Sequence, residues 1–214
     1  MGQALATILA AFLAAAVALS GYALTQAWNR RERRARTYAE ALSAIRDYQE
    51  LPYRIYRRQA SDAETREMLG RLHSEVAARV RFYMAALEME SPLVSLAYRD
   101  LRNQTRGRGA LYRHWAWQHA PIDSDAAMAL DPPFHSDNDE EQRLCLACMR
   151  HDLKTFDRRR SHRLMAELDV LRRRRQAETP LSFDDIEQRF QRKRDQLSSQ
   201  RGESRPSTAS PAGP

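Results

Sequence analysis

Residues 61–87 read SDAETREMLGRLHSEVAARVRFYMAAL. Leu69, Leu72, Val76, Val80, Tyr83 and Leu87 recur at three- and four-residue steps, the period of one face of an α-helix. Ser61 and Glu64 stand in the Ser-x-x-Glu spacing of a capping box, which marks the start of that helix. No stretch of comparable length alternates with the two-residue period of a strand. Seven glycines in 214 residues, with few Val or Ile, also argue against a sheet-based enzyme.

Toward the N-terminus, Tyr53, Ile55 and Tyr56 lie among Arg54, Arg57 and Arg58 as a short basic-aromatic connector. Leu51-Pro52 is expected to end or kink the helix before it, because proline removes a donor and clashes with the preceding turn. That helix carries the stripe Tyr38, Ala41, Leu42, Ile45 and Tyr48. Ahead of it stand Arg30, Arg31, Arg33, Arg34 and Arg36, opposed only by Glu32. Residues 2–29 carry no charged side chain, and Ala4 to Leu19 is apolar except for Thr7. The spacing predicts a transmembrane anchor over 1–29, long enough at 1.5 Å per residue for the ~30 Å hydrocarbon layer. Trp28 occupies the place of an interfacial aromatic, and the arginines orient the span. The N-terminus is then expected outside a bacterial cell membrane and residues 30–214 in the cytoplasm. A cleaved signal peptide would need basic residues before the apolar run, and there are none.

Toward the C-terminus, Ser91-Pro92 reads as an N-cap with proline at the first helical position. Leu93, Leu96, Ala97 and Leu101 come after it; Gly107 and Gly109 are expected to interrupt the helix before Leu111, Tyr112 and Trp115 resume it. Residues 121–137 read as a loop, with Ser136 or Asp137 to cap the next helix. Leu144, Cys148, Met149, Leu153, Phe156, Leu164, Leu168 and Leu171 then mark one long helix ending at Arg172–Arg175. Thr179-Pro180 and Ser182 signal a last helix with Phe183, Ile186, Phe190 and Leu197. From Ser198 the composition predicts a disordered tail.

The segments are thus an anchor (1–29), a juxtamembrane helix and connector (30–60), a helical hairpin region (61–120), a loop (121–137), a long plus a short helix (138–197) and a tail (198–214). The expected fold is all-α, an N-terminal transmembrane helix continuing into an elongated cytoplasmic helical bundle or coiled coil. From Arg30 onward, Ile, Leu, Val and Phe supply only 31 of 185 residues, so the assembly should be thin rather than deep-pocketed.

Candidate chemistry is sparse. Cys145 and Cys148 lie three residues apart, with His151 one turn on and His135 before them. A small zinc or redox module is conceivable there, but the set lacks a second closely spaced ligand pair, a redox pair would want a strand before it, and two buried apolar thiols account for it more simply. His114-Trp115-Ala116-Trp117-Gln118-His119 could stack on a heterocycle, but Trp more often anchors helix contacts. Asp137, Asp139, Glu140 and Glu141 match no calcium-loop pattern and suit the first turn of a helix. Nucleophile-elbow, zinc-protease and dinucleotide motifs are absent, so neither catalysis nor a cofactor is expected.

The net charge of +7 comes from 33 Arg and two Lys against 28 acids. Arg158, Arg159 and Arg160, with Arg172, Arg173, Arg174 and Arg175, are candidate phosphate contacts, to nucleic acid or to lipid. Leu69, Val76, Val80 and Leu87, with Leu153, Leu164 and Leu168, are the candidate face for a protein partner or for self-association. The layout resembles uncharacterised single-pass membrane proteins of GC-rich bacteria and their phages. The resemblance rests on the Ala-rich span, on Arg30-Arg31-Glu32-Arg33-Arg34, and on Tyr38-Ala39-Glu40-Ala41-Leu42 leading to Leu51-Pro52-Tyr53-Arg54-Ile55. It implies location and helical class, and no activity.

Overall fold

Helix is the only regular structure that the described residues adopt. The computed structural model describes residues 2–122, 134, 137–154, 158–178 and 181–203, with backbone alone at 2–12, 14, 158, 193, 194 and 196–203. Its helices are α1 (Gly2–Tyr56), α2 (Ala63–Glu90), α3 (Pro92–Gln118), α4 (Asp139–Lys154), α5 (Arg158–Ala177) and α6 (Phe183–Glu203).

Side-chain contacts fix the directions. Tyr83 meets Glu40, and Arg79 meets Asp47, so α2 runs back along α1. Tyr98 Oη donates to Ala41 O and Tyr56 stacks on Trp115, so α3 runs parallel to α1. Asn138 donates to Thr105, and Arg172 to Asp100, so α4 descends and α5 ascends beside α3. The result is an up-down-up-down-up bundle with α3 at its centre and α6 across its upper end. The base holds the start of the packed part of α1, the α2–α3 turn, the end of α4 and the beginning of α5.

Two cores are stacked along this axis. The lower one joins Tyr38, Ile45, Leu51, Val76, Val80, Leu87, Val94, Tyr98, Leu101, Leu144, Cys148 and Leu168. The upper one is aromatic: Tyr112, Trp115, Phe134 and Phe190 surround Ile55, Leu69 and Ile186. Trp115 is buried there and donates to Glu187 (2.6 Å), while Phe190 stacks on its ring. The histidine-tryptophan stretch is therefore a packing element.

Several local expectations are corrected. Helix α1 does not end at Leu51-Pro52 but runs on to Tyr56, so the basic-aromatic connector is its last turn. Pro52 is almost fully buried, and packing of Leu51 and Ile55 on either side holds the helix through it. The α2 cap is Asp62, whose carboxylate accepts from Thr65 N (2.7 Å); Ser61 instead accepts from Arg58 Nε. Glycines 107 and 109 do not interrupt α3. Gly109 is where α1 comes close: a Cβ there would lie 3.6 Å from the Tyr48 ring and 3.2 Å from Arg113 Nη1. Before α4, Asn138 occupies the capping position: its carbonyl accepts from Gln142 N, and its amide is spent on Thr105. Asp137 takes a positive φ of 43° beside it, and Ser136 lies outside the described residues.

The predicted long helix after residue 138 is a hairpin. His151 meets Ser161, Glu140 meets Arg174 and Glu141 meets Arg175, so α5 folds back antiparallel onto α4. Leu144 and Cys148 thereby face Leu164, Leu168 and Leu171 instead of extending one stripe. Phe156 lies outside the described residues. Ser182 and Asp185 do form a reciprocal capping box at the start of α6. That helix passes Ser198, the expected start of the tail, and reaches Glu203, because elongation costs no new nucleation and residues 198–203 contain no proline. Residues 204–214 lie outside the described residues.

The upper end is held by Arg58, buried at 6% exposure. Its guanidinium donates to Ile55 O (3.0 Å), Ala116 O (2.8 Å), Trp117 O (3.3 Å) and His119 O, and Nε to Ser61 Oγ (3.0 Å). Ile122 N returns a bond to Arg58 O (2.9 Å). Burial lowers the basicity of this guanidinium, and the carbonyls it serves hold its charge in place. Arg58→Leu should lower unfolding stability by about 3 kcal/mol, since it strands carbonyls that a charged donor served. Arg58→Lys should recover only part of that loss, because an ammonium cannot span both helix ends. Urea unfolding followed by circular dichroism checks both; an unchanged midpoint would contradict the assigned role.

Candidate functional site

Three surfaces were expected to carry function, and the bundle treats each differently. The arginine cluster 30–36 is divided by the helical period. Arg31 and Arg34 turn toward the bundle, where Arg31 Nε donates to Leu153 O and Arg34 Nη1 pairs with Asp152 at 3.2 Å. Asp152 also accepts from Tyr38 Oη at 2.7 Å. Burial and this bond to the carboxylate push the Tyr38 phenol well above its ordinary range. Two cations at the C-terminal end of α4 also suit its dipole. Arg30, Arg33 and Arg36 stay exposed, Arg36 loosely paired with Glu32. Trp28 is exposed as well.

Because α4 and α5 form a hairpin, the second cluster returns to this same end. Ser161 touches His151, which adjoins the Asp152 held by Arg34, so Arg159 and Arg160 are exposed at the base together with Arg30, Arg33 and Arg36. The side chain of Arg158 lies outside the described residues. The cluster 172–175, at the other end of α5, is largely engaged within the chain. Arg172 pairs with Asp100 (2.9 Å), Arg174 with Glu140 (3.1 Å), and Arg175 with both Glu141 (2.6 Å) and Glu178 (2.9 Å). Glu141 is buried at 2% exposure, and its hydrogen bond raises the pKa of Arg175 further. Arg173 is the exposed member.

The candidate partner face is spent inside the molecule. Val76, Val80, Leu87, Leu164 and Leu168 are buried in the lower core and Leu69 in the upper one, with Leu153 half-buried at the edge. The apolar side chains that α2 leaves outside are others: Met68, Phe82 and Met89, spaced by fourteen and seven residues on its outer face. Sequence periodicity named the stronger stripe, which is core; the weaker outer one obeys the same seven-residue count.

Cys145 and Cys148 are buried free thiols. Desolvation pushes Cys148 up to about 12 and Cys145 higher still, so both stay protonated at neutral pH. His151 bonds to Ser161 Oγ rather than turning to the sulfurs, and among the described residues no group of three His, Cys, Asp or Glu side chains is placed to hold a metal. His135 lies outside the described residues.

A further group was not found from sequence. Arg81 of α2 and Arg102, Arg106 and Arg113 of α3 converge on one cleft beside Tyr48 and His73. Residues 102, 106 and 113 share a helix face at four- and seven-residue steps, a signal present in the sequence; Arg81 joins them only through tertiary packing.

No protein-family model matches the chain. Comparison with curated proteins and with solved structures likewise gives no match.

Burial of the stripe and of the thiols can be tested directly. Val76→Asp should unfold much of the helical bundle, because a Val-sized core side chain contributes about 1.5–3 kcal/mol and a buried carboxylate costs more. Phe82→Asp should leave the circular dichroism unchanged. The two thiols should react slowly with Ellman's reagent at pH 8 and fully once guanidinium unfolds the chain. Their raised pKa values also have a sign. Stability is complete below the unfolded thiol pKa of about 8.5, and is lost as pH rises from there toward the folded values.

Proposed function

We propose that this chain is a membrane-anchored, non-catalytic interaction protein whose helical bundle stands on the cytoplasmic face of a bacterial cell membrane. One observation carries the reading: the first half of α1 projects beyond the bundle, and two arginine clusters gather at the base from which it projects. Leu13, Val17, Leu19, Tyr22, Leu24 and Trp28 are all more than three-fifths exposed. A helix apolar on every side needs lipid or another protein around it. Among the described residues no helix is long and apolar enough to cross a membrane. The run Ala4–Leu19, on which the proposed span rests, falls mostly on residues 2–12 and 14, whose side chains lie outside them.

The base supports the orientation. Arg30, Arg33 and Arg36 would meet anionic headgroups, each adding about 1 kcal/mol near a charged surface. Lipid at the base accounts for the outward half of the first cluster. The intramolecular pairs of Arg172, Arg174 and Arg175 leave the nucleic-acid alternative with fewer available cations. A protein partner, or a second copy confined to the same membrane, would meet the outer face of α2 rather than its buried stripe.

Fractionation tests this reading. The full-length chain should stay with membranes through an alkaline carbonate wash, and a C-terminal tag should resist protease in intact cells and be digested once they are opened. Recovery in the soluble fraction would overturn the anchor. Arg33→Glu with Arg36→Glu should reduce binding of the detergent-purified chain to phosphatidylglycerol vesicles and leave phosphatidylcholine binding unchanged; equal effects on both would exclude the lipid role of the collar.

A further inference from the structure

Several arginines of the bundle, among them Arg34, Arg58, Arg79, Arg108, Arg172, Arg174 and Arg175, meet a carboxylate or a row of carbonyls. The cleft between α2 and α3 is different. It has a volume of about 370 Å³, and its walls carry Arg81, Arg102, Arg106 and Arg113 with no acidic residue among its lining. None of the four forms an ion pair with a described carboxylate. Arg102 donates only to the neutral amide oxygen of Asn103. The nearest carboxylate along α1, Asp47, is occupied by Arg79 at 2.8 Å.

Arg113 is placed with particular care. Its guanidinium lies over the Tyr48 ring, 4.8 Å from the centroid, in the space that Gly109 leaves open. Its Nη1 is buried and has no hydrogen-bond partner. A desolvated guanidinium nitrogen without an acceptor is costly, and it leaves the Arg113 charge uncompensated at the wall of the cleft. His73 stands beside Tyr48, and burial together with the Arg113 charge holds its imidazole below the ordinary range. The neighbourhood is thus positive enough to resist a further proton.

The rest of the lining is mainly apolar: Ile45, Ala77, Val80 and Ala110 contribute from three helices, and Thr105 adds a hydroxyl. The volume is that of a small-ligand site. Four guanidinium forks match phosphoryl oxygens in geometry, and their summed charge exceeds the roughly two negative charges of one phosphate monoester. A bilayer does not reach this place: Ile45 lies roughly 20 Å up the helix from Arg30 at 1.5 Å per residue.

We propose that the cleft bounded by Tyr48, His73, Arg81, Arg102, Arg106 and Arg113 binds a free nucleotide-sized organic diphosphate or triphosphate, with the phosphoryl groups on the arginines and the organic part against Ala77 and Ala110. This is independent of the anchor reading and of the arginine clusters at the base. The test is isothermal titration of the full-length chain, purified in non-ionic detergent, with ADP, ATP, pyrophosphate and a series of single-stranded oligonucleotides. ADP and ATP should bind, and more tightly than pyrophosphate, which lacks the apolar part. Arg106→Gln should weaken ADP binding about tenfold, as expected when one charge-assisted fork is lost, and Arg81→Gln with Arg106→Gln should abolish it. Both side chains are exposed at the rim, so the midpoint of thermal unfolding should not change without ligand. Arg173→Gln, exposed on α5 outside the cleft, should bind ADP as the parent does. Four results would overturn the proposal: no binding at millimolar ADP; pyrophosphate binding as tightly as ADP; equal loss in Arg173→Gln; or affinity that grows with oligonucleotide length and ignores Arg106→Gln, which would mark a nucleic-acid surface instead.

Discussion

Helices α1 and α3 run parallel and end side by side, and that arrangement needs a cation. Each helix terminus leaves its last carbonyls without internal partners and carries a partial negative charge. Two such ends together repel each other and compete for the same donors. The Arg58 guanidinium settles both difficulties by bonding Ile55 O of one helix and Ala116, Trp117 and His119 carbonyls of the other. Its position fixes the register of α3 against α1. That register sets the Tyr56–Trp115 stack, the close approach at Gly109 and the meeting of Arg113 with Tyr48. The chain then descends and rises once more, and Arg175 performs the matching service for α4 and α5 through Glu141 and the carbonyl of Asp137.

The same ordering separates the arginines into populations with different physical roles. Those at 58, 172, 174 and 175 hold helices to one another. Those at 31 and 34 secure the hairpin to the stem, while 30, 33, 36, 159 and 160 face outward at the base. Those at 81, 102, 106 and 113 line a cleft without an acid. A residue's place in a basic run does not tell which population it joins. Arg172–Arg175 looked like a binding patch because three of its acids, at 100, 140 and 141, are more than 30 residues away in the chain, and only Asp169 and Glu178 are close by.

Helical class, most starts and the core stripes were legible because they depend on local period and on caps. Leu69, Val76, Val80 and Leu87 are buried, as their three-four spacing required, but spacing could not say whether the buried side faces this chain or another. The fold-back of α5 onto α4 was not legible, since Leu153 and Leu164 continue a plausible stripe; it is decided by Glu140, Glu141 and His151 finding partners on α5. Pro52 misled for a related reason. Its local cost is real, but burial of Leu51 and Ile55 on the same helix outweighs it. The candidate cleft was half legible, through the common face of residues 102, 106 and 113.

The preponderance of arginine over lysine, 33 to two, reads from composition as a codon habit. The structure shows that whatever set the bias, the fold uses the particular shape of the side chain. Arg58 serves four carbonyls and a hydroxyl at once. Arg175 reaches two carboxylates and a carbonyl, and Arg172 holds Asp100 through two nitrogens. A lysine at any of these places offers one compact charge and could hold one helix but not the join between two. In a chain with so few large aliphatic residues, the joints between helices are made by planar cations, and the apolar cores fill the space that those joints define.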